Sequence, residues 1–549
     1  MTEILPHINL SIFQSKEEKE LAVLLLNVIE NQQQQINELK SIVQSQRDEI
    51  NRLKGEQVKP NIKANTKINN NNISTDGKEK VKQKHKKQSK KKYIIVDKTE
   101  CIDYDKSKLP DDAVFKFYDD VITQDIIFKR QNISYRIAVY YSATKKKTYR
   151  LQAPEGKSYH SNDLKSFIIT QNKVCDVTNS KLLTMLQSIG IEISAGALSN
   201  ILLEYKNIAQ IDKNAVLKAG LLSSYTQTDI TGARVSGKNH NTHIITNDLF
   251  TSYTTLSGKS ALDVLAAYQA LTNKDELILV YNKQTIDLLE EAKISKKDKE
   301  ALDELLEHNQ RFKLHEFEKY IEEQIPDLYN KRNIFIKVKH AFALSYYRIQ
   351  TDVPKANCVI SDNAPEYNKI AQEDHGLCWV HDARPYKKLT PVLDIHKEEL
   401  DKFKDKYWSF YHQLLDFKTN SNLKLSEKLR EKFDVLFSTK TNYFQLNQCI
   451  ENSLKKKEEL LLVLKRPEIP LHNNLAELGA RRQVRKRDIS LHTVTTAGTE
   501  CQDAFMSITQ TATQLGVDVF KYIKELIANK KNRVSLADMI YYKTNLNPS

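Results

Sequence analysis

Three carboxylates lie at the ends of predicted strands or on a predicted helix, where they could bind the metal ions of a metal-dependent reaction. Asp229 lies in YTQTDITGARV, a β-type run that we expect to end near Asp229 and to turn at Gly232. Asp362 follows the apolar run CVI, and Glu477 lies in HNNLAELGARRQVRKR, which reads as a helix. Two divalent ions about 3.5–4 Å apart need a bridging carboxylate and one more acid each. Spacing alone does not single out these three among the 70 acidic residues.

Basic residues follow Glu477 on the same predicted helix. Arg481 and Arg485 lie four and eight positions after Glu477, and therefore on nearly the same helix face. Guanidinium groups there would stand beside the metals, where phosphates arrive. We expect Arg481, Arg485 and Lys486 to bind nucleic-acid phosphates, and the alternative is a solvated basic surface.

Four ordered blocks are similar to those of the transposases of insertion-sequence family sixty-six, the large DDE-type transposases with an N-terminal coil. In chain order they are TDITGARVSGKNHNTHIITNDLFTSY, CVISDNAPEYN, CWVHDARPYKKL and NNLAELGARR. The resemblance continues through Ser507–Ala512 and VDVFKYIKEL, and covers about residues 100–530. It implies a ribonuclease-H-like catalytic core that cuts and joins DNA.

The resemblance also assigns roles to individual residues. Asp229, Asp362 and Glu477 would be the catalytic residues and the ligands of Mg²⁺, with Mn²⁺ as a substitute. His381 and Arg384 resemble family positions, and either contact DNA near the site or have a structural role. The first step would nick a strand and free a 3′-OH at the element end. In the second step that 3′-OH would attack target DNA in line.

The chain departs from the family pattern in its cysteines, which are possible zinc ligands. Family members often carry a Cys-rich zinc module before the helix-turn-helix, but the matching region here keeps only Cys101. Cys378 and His381 could form half a site with Cys358 or His375. Zinc needs four tetrahedral ligands, and the available spacing is irregular, so we do not expect structural zinc.

The net charge of +14 is concentrated in one segment. Residues 55–92 hold twelve Lys against three acids and contain no aromatic residue. Such a composition cannot bury enough apolar surface to offset the entropy of ordering, so it predicts a disordered linker. Its lysines, including Lys90, Lys91 and Lys92, either neutralise DNA phosphates in a salt-dependent manner or belong to a solvated tether.

The N-terminal residues predict a coiled coil that joins copies of the chain through residues 22–53. The a positions are Ala22, Ile29, Ile36, Val43 and Ile50, and the d positions are Leu25, Gln32, Leu39, Gln46 and Leu53. β-branched residues at a with Leu at d favour a parallel two-stranded coil. The alternative is an amphipathic helix docked on its own domain, but the polar linker that follows leaves nothing adjacent to dock on.

The remaining segments add a β-rich module, a helical pair and a helical insertion. YIIV, AVFKFY, DIIFKR and SYRIAVYYS read as short strands. A helix near 179–188, Gly190 and a helix capped by Ser194 have the layout of a helix-turn-helix, although any small helical hairpin looks the same. Before the last acid, a buried helix face is predicted at Leu425, Leu429, Phe433 and Leu436.

Together these patterns predict a multidomain α/β protein. Its expected parts are a coiled coil (1–54), the linker (55–92), a small β-rich module (93–160), a helix-turn-helix-like unit (161–215), a ribonuclease-H-like core in two parts (216–376 and 467–530), a helical insertion (377–466) and a C-terminal tail (531–549). The longest apolar runs span about six residues, so no membrane span is expected. The sparse cysteines and the lack of a secretory signal pattern indicate the bacterial cytosol.

Two other functions stay open from the sequence. A decayed transposase could persist as a DNA-binding regulator, with a coil and a helix-turn-helix but without cleavage. A two-metal nuclease would cut DNA without strand transfer.

Overall fold

A computed structural model describes residues 15–53, 94–105, 108–110, 113–152, 159–530 and 532–546. The whole Lys-rich linker, with Lys90, Lys91 and Lys92, lies outside the described residues, so its disorder and its DNA contacts stay predictions. Elsewhere the chain is largely helical, with one five-stranded and two two-stranded sheets among the described residues. None of the described helices combines the length and the apolar character that crossing a membrane requires.

The five-stranded sheet holds the first two acids. The described strands are β1 (Val139–Ser142), β2 (Lys147–Arg150), β3 (Thr226–Val235), β4 (Lys238–Thr246), β5 (Thr251–Leu256), β6 (Ile278–Val280), β7 (Arg311–Lys313), β8 (Cys358–Ser361) and β9 (Asp374–Leu377). The sheet order is β5-β4-β3-β8-β9. Strands β3, β4 and β5 form an antiparallel meander, and β8 and β9 run parallel to β3.

Helices cover both faces of this sheet and are the most frequent of the other described elements. They are α1 (Lys16–Leu53), α2 (Asn162–Lys173), α3 (Asn179–Ser188), α4 (Ala195–Glu204), α5 (Lys206–Leu221), α6 (Ala261–Tyr268), α7 (Lys283–Glu291), α8 (Lys296–Leu305), α9 (Leu314–Gln324), α10 (Pro326–Asn330), α11 (Arg332–Ile349), α12 (Trp379–Asp382), α13 (Arg384–Lys388), α14 (Asp394–Thr419), α15 (Leu423–Phe437), α16 (Phe444–Leu454), α17 (Lys457–Leu460), α18 (Asn474–Ser490), α19 (Thr496–Gln514), α20 (Val519–Ile527) and α21 (Leu536–Leu546).

The strand that carries Asp229 is longer than predicted. β3 passes through Gly232, and the chain turns at Ser236–Gly237, where both residues have positive φ. A two-residue loop of this kind matches the twist of a β-hairpin. The predicted turn at Gly232 is wrong because this glycine allows a close approach instead. The Arg487 guanidinium donates to the Gly232 carbonyl at 2.7 Å, and a Cβ at Gly232 would lie 3.3 Å from it.

The helices between Asp362 and Glu477 have their own apolar core around Trp379. This side chain is fully buried, its Nε1 donates to the Leu460 carbonyl at 2.8 Å, and its ring centroid lies 5.3 Å from that of Tyr407. The predicted face of α15 packs into the same core, buried at Leu429, Phe433 and Leu436 and partly buried at Leu425.

The two ends of this helical block are hydrogen-bonded together. Trp379 N donates to the Leu471 carbonyl at 3.0 Å, and Asn473 N donates to Cys378 Sγ at 3.2 Å. Cys378 N in turn donates to the carbonyl of Ser361, the last residue of β8, at 3.0 Å. The block therefore leaves and returns at one point beside β8, so its length does not separate the acids before and after it.

The helical pair before the sheet has the predicted local structure. The chain between α3 and α4 turns at Gly190, whose φ is +81°. Ser194 Oγ accepts a hydrogen bond from Ala197 N at 3.1 Å and caps α4, as predicted. Leu182 and Leu198 are buried in the largest apolar core of the protein. Whether this pair reads DNA stays a prediction.

The segment expected to form a small β-rich module contains, among its described residues, only the hairpin of β1 and β2. The runs AVFKFY and DIIFKR form no strands, and Val114 and Phe117 are 83% and 74% exposed. The prediction of several strands is wrong because short β-type runs need partner strands and a face to bury, and these runs have neither.

The first half of α1 docks on the helical insertion. Glu30, which is 1% exposed, accepts hydrogen bonds from Val392 N and Leu393 N at the start of α14, and His396 Nδ1 lies 3.2 Å from it. Leu26 packs on Leu393 in a small apolar cluster. The expectation that α1 would find no surface to dock on is therefore wrong. Its docking surface comes from a part of the chain more than 350 residues away.

The buried carboxylate of Glu30 predicts how this docking responds to acid. Burial raises the pKa of Glu30, but hydrogen bonds from His396, Leu393 and Val392 outweigh it and leave the pKa below its ordinary value. A lowered pKa means that the stabilisation is present above the ordinary carboxyl pKa and is lost as the pH falls through the folded value. We expect α1 to release its docking surface in acid.

Glu30→Ala tests the same contact at neutral pH. It leaves the start of α14 and buried His396 without their carboxylate, and should lower the free energy of unfolding by about 3–5 kcal/mol. Hydrogen exchange should rise across residues 16–34. Glu38→Ala is the matched control, because Glu38 is exposed on the same helix. Equal exchange in the two variants would contradict the docking.

Candidate active site

The sheet register brings Asp229 and Asp362 side by side. β3 and β8 are parallel neighbours that pair at Thr226–Val359 and at Gln227–Ile360. Two residues further along the chain from the Gln227–Ile360 pair are Asp229 and Asp362, which therefore lie at the same level, Asp229 within β3 and Asp362 directly after β8. Each carboxylate is oriented by a local hydrogen bond. Asp229 Oδ1 accepts from Ile230 N at 2.8 Å, and Asp362 Oδ1 accepts from Ala364 N at 3.1 Å.

Glu477 reaches this edge from the first turn of α18, and the start of that helix is bonded to β3. Asn473 Nδ2 donates to the Thr228 carbonyl at 2.7 Å, and Leu475 N donates to Gln227 Oε1 at 3.0 Å. Asn473 and Gln227 are each 1% exposed. These contacts hold the beginning of α18 against the residues that immediately precede Asp229.

A glycine lets α18 lie this close to the sheet. A Cβ at Gly479 would lie 2.9 Å from Ile244 Cγ2 and 3.4 Å from the Tyr253 hydroxyl. Ile244 is the β4 residue paired with Asp229. Any larger side chain at Gly479 would therefore push the helix, and Glu477 with it, away from the strand that carries the first acid.

The electrostatics of Asp229 reflect all three acids. The pKa of Asp229 is raised to about 6, mainly by burial and in addition by the charges of Asp362 and Glu477, against the opposing effects of the Ile230 hydrogen bond and of Arg384. Tyr367, which follows Asp362 in the chain, is buried, and burial with the same two aspartates raises its pKa. The site thus concentrates negative charge, and Asp229 takes up a proton more readily than an ordinary aspartate, although it is mainly ionised near pH 7.

Three of the predicted phosphate-binding side chains meet at Glu477. Arg384 Nη2 lies 3.1 Å from Glu477 Oε1, and His381 Nε2 lies 3.5 Å from the same oxygen. Arg481 Nη2 lies 3.5 Å from Oε2. Burial and the neighbouring Arg384 lower the pKa of His381, so its imidazole is mainly neutral near pH 7. Glu477 is therefore paired with guanidinium groups in this arrangement.

The remaining basic residues of α18 divide into two kinds. Arg485 is exposed and stays a predicted DNA contact. Lys486 does not fit that prediction, because it is 6% exposed and its Nζ donates to the Asn172 carbonyl at 2.6 Å and lies 3.2 Å from Asp176 Oδ1. Arg485 and Lys486 are neighbours on α18, so their side chains point in different directions. Arg485 faces solvent and Lys486 faces α2.

The described residues contain no preformed metal site. No group of three or more His, Cys, Asp or Glu side chains in this part of the chain is close enough to hold a metal ion as it stands. Cys358 is buried within the sheet, and Cys378 Sγ accepts the hydrogen bond from Asn473 N. The three acids are oxygen donors of the type that Mg²⁺ prefers. In this arrangement Glu477 is paired with Arg384 and Arg481.

Sequence patterns missed the residues that position the acids. They are Asn473 and Gln227, which carry no catalytic signature of their own. The one available signal was the position of Asn473 at the start of a predicted helix, where a polar side chain usually bonds its own helix. Here its amide bonds β3 instead.

Comparison with known proteins gives one family match and one similar relative. The family described as Transposase IS66 family matches residues 336–501, a stretch that includes Asp362, Arg384 and Glu477 and leaves out Asp229. An uncharacterized protein, y4jO, of Sinorhizobium fredii is 27% identical over 316 residues, which are 56% of this chain and 93% of the relative. No solved structure matches the chain. The chain therefore carries a domain of the IS66 transposase family over these residues, as predicted, and the match includes the last three of the four motif blocks.

Proposed function

We propose that this protein is a transposase that cleaves DNA at insertion-sequence ends and joins the freed strand to target DNA in a metal-dependent reaction. The observation that carries the proposal is the convergence of Asp229, Asp362 and Glu477 at one edge of the sheet, from two parallel strands and one helix. The family match supports an enzyme that acts on DNA.

The sheet supports a ribonuclease-H-like core. Numbered by their order within this sheet, its strands run 3-2-1-4-5, with the second strand antiparallel to the rest. Asp362 follows the carboxyl end of β8, the kind of position where ligands bind in open α/β sheets, and Asp229 lies beside it on the parallel neighbour β3. We infer that the helical block between Asp362 and Glu477 is an insertion into this core, closed at its base by the bonds of Trp379 and Asn473.

Asp229, Asp362 and Glu477 are the residues that would hold the divalent cations. When bound, two such ions polarise the scissile phosphate and lower the pKa of the attacking water. Glu477 must first turn from Arg384 and Arg481 toward the two aspartates. The guanidinium groups it releases then stand beside the scissile phosphate, where they can stabilise charge that develops on its oxygens. His381, as a neutral imidazole, can accept or donate one hydrogen bond there.

The two reaction steps use the same residues. In the first step water attacks the phosphate at the element end, and the leaving 3′ oxygen becomes a free 3′-OH. In the second step this 3′-OH attacks a target phosphate in line. Neither step requires a covalent bond to the protein. A DNA-binding regulator would lack both steps, and a plain nuclease would lack the second, so assays of nicking and of joining separate the three functions.

The acids are tested by charge-neutral variants of the same size. Asp229→Asn, Asp362→Asn and Glu477→Gln should each abolish nicking of the cognate end in Mg²⁺ and leave DNA binding nearly unchanged. Glu373→Gln is the control, because Glu373 is exposed at the opposite end of β9. Near wild-type nicking by any one of the three would show that its carboxylate is not a ligand.

The guanidinium groups are tested by single-turnover cleavage at saturating DNA. Arg481→Ala and Arg384→Ala should slow cleavage by about 100-fold, as expected for the loss of one group that stabilises developing charge. Arg384→Ala should also tighten Mn²⁺ binding to the DNA-free protein, measured by calorimetry, because Glu477 no longer has its closest partner. Arg430→Ala is the control, since Arg430 pairs with Glu458 on the insertion. Unchanged cleavage and unchanged Mn²⁺ affinity would refute the assignment.

Self-association through α1 completes the proposal, because transposition must hold two element ends together. Docking of α1 on the insertion leaves a stripe of apolar side chains exposed on its other side, formed by Leu25, Ile36, Leu39 and Val43 among others. These residues occupy predicted a and d positions of the coil. The exposed stripe is thus available to a second copy of the same helix while the first half stays docked.

Two carboxylates in the stripe test this association. Ile36→Asp with Val43→Asp places charges in an apolar seam at a cost of several kcal/mol, so the full-length protein should become monomeric by light scattering. Asn37→Asp with Ser41→Asp adds the same charge outside the predicted seam and should leave the mass unchanged. A monomeric wild-type protein at about 100 µM would rule out association through the coil.

A further inference from the structure

Residues 129–152 form a strongly basic segment that the proposed catalytic site does not use. Its seven cations are Lys129, Arg130, Arg136, Lys145, Lys146, Lys147 and Arg150, and it contains no Asp or Glu. The rest of the same exposed region, residues 94–128, is different, because acids there outnumber basic residues. The positive charge is thus confined to the part that forms the hairpin of β1 and β2, here called the basic hairpin.

The basic hairpin presents its cations at its tip and along its strands. β1 and β2 pair from Val139–Arg150 to Ser142–Lys147, and a four-residue loop joins them. Lys146 in that loop has a φ of +46°, and Ser142 Oγ accepts a hydrogen bond from Lys145 N at 3.2 Å. Nearly every residue of both strands is exposed. An isolated two-stranded hairpin is only marginally stable in water, so a bound partner would stabilise it.

Aromatic rings line one face of the basic hairpin. Tyr140 and Tyr149 are directly opposite each other in the register, and they are 70% and 43% exposed. Lys147 Nζ lies 5.6 Å from the centroid of the Tyr149 ring. The same face borders a hollow of about 750 Å³, whose lining includes Tyr135, Arg136 and Arg150. Cations and ring faces therefore alternate around one concave surface.

The segment is attached next to the helical pair. Arg130 packs against Gly190, the residue at the turn between α3 and α4, where a Cβ would lie 3.0 Å from Arg130 Nη1. A side chain on Gly190 would displace this arginine. The basic hairpin thus begins beside the helix-turn-helix-like unit.

We propose that the basic hairpin binds single-stranded DNA, with phosphates on its cations and an unpaired base against Tyr140 and Tyr149. Sites for single strands combine a cationic groove that follows the backbone with aromatic rings on which bases stack. Ring faces exposed in a hollow favour an unpaired base, because the bases of a duplex are already stacked on each other. Seven cations without a single acid favour a polyanion over a protein surface.

The proposal is tested with the full-length protein in EDTA, so that cleavage plays no part and binding alone is measured. Fluorescence anisotropy would follow a labelled dT15 oligonucleotide, a 15-base-pair duplex and the RNA U15 over a range of salt concentrations. Lys145→Gln, Lys146→Gln and Lys147→Gln in one chain remove the charge. Tyr140→Ala with Tyr149→Ala removes the rings, and Tyr140→Phe with Tyr149→Phe keeps them.

The charge variant should bind dT15 at least about 10-fold more weakly, and its plot of log K against log salt should flatten by about 2, since each phosphate contact on a single strand contributes about 0.7. The Ala variant should bind dT15 about 10-fold more weakly with little change in slope, and the Phe variant should bind normally. Lys296→Gln, Lys297→Gln and Lys299→Gln on α8 remove the same charge elsewhere and should have no effect.

Three results would overturn the proposal. They are unchanged dT15 binding in both hairpin variants, an equal loss on duplex and single strand in the Ala variant, and tighter binding of U15 than of dT15. Because both faces of the hairpin are solvent-exposed, these substitutions remove no core packing, and an unchanged melting temperature would verify that each variant is folded. A failure here would leave the cleavage proposal intact, because that proposal depends on the three acids.

Discussion

The candidate site depends on the attachment of the start of α18 to β3. The Asn473 amide donates to the Thr228 carbonyl, and the Gln227 side chain accepts from Leu475 N. The first N–H groups of a helix have no partner within the helix, so Gln227 satisfies one of them with a buried oxygen. Thr228 immediately precedes Asp229, and Leu475 lies two residues before Glu477. Two hydrogen bonds therefore fix the separation of two acids that lie far apart in sequence.

The helical insertion is compatible with this attachment because it closes on itself. Its apolar core around Trp379 is separate from the largest core of the protein. Its ends meet through Cys378 and Asn473, and Asn473 also bonds β3. Docking of Glu30 on the start of α14 ties the N-terminal helix to the same block. A second copy that binds α1 would consequently be held next to the insertion of the first.

Arg384 and Arg481 balance the negative charge of the acids at the site, and they could also bind a phosphate. Three carboxylates near one another repel, and the raised pKa of Asp229 records part of that repulsion. Arg384 and Arg481 offset the rest by pairing with Glu477. A cation would take over this compensation, and the two guanidinium groups would then be available to a phosphate. In the proposed mechanism the same residues would stabilise the metal-free arrangement and then serve an anionic substrate.

The sequence by itself determined the features that local pattern encodes. Residue types and spacing were enough for the order of the motif blocks, the meander after Tyr225, the buried face of α15 and the cap at Ser194. Each depends on side-chain periodicity or on bonds within about four residues. A family resemblance, rather than spacing, singled out the three acids from the many others.

Only the tertiary structure decided which distant groups meet, because a contact between remote segments leaves no periodic trace in either one. It assigned Gly232 to a close approach by Arg487 rather than to a turn, and it directed Lys486 to Asn172 while Arg485 stayed exposed. It gave α1 a docking surface on a block hundreds of residues away. It left most of the expected β-rich module without partner strands, since β-type residues form a sheet only where other strands and a core are within reach.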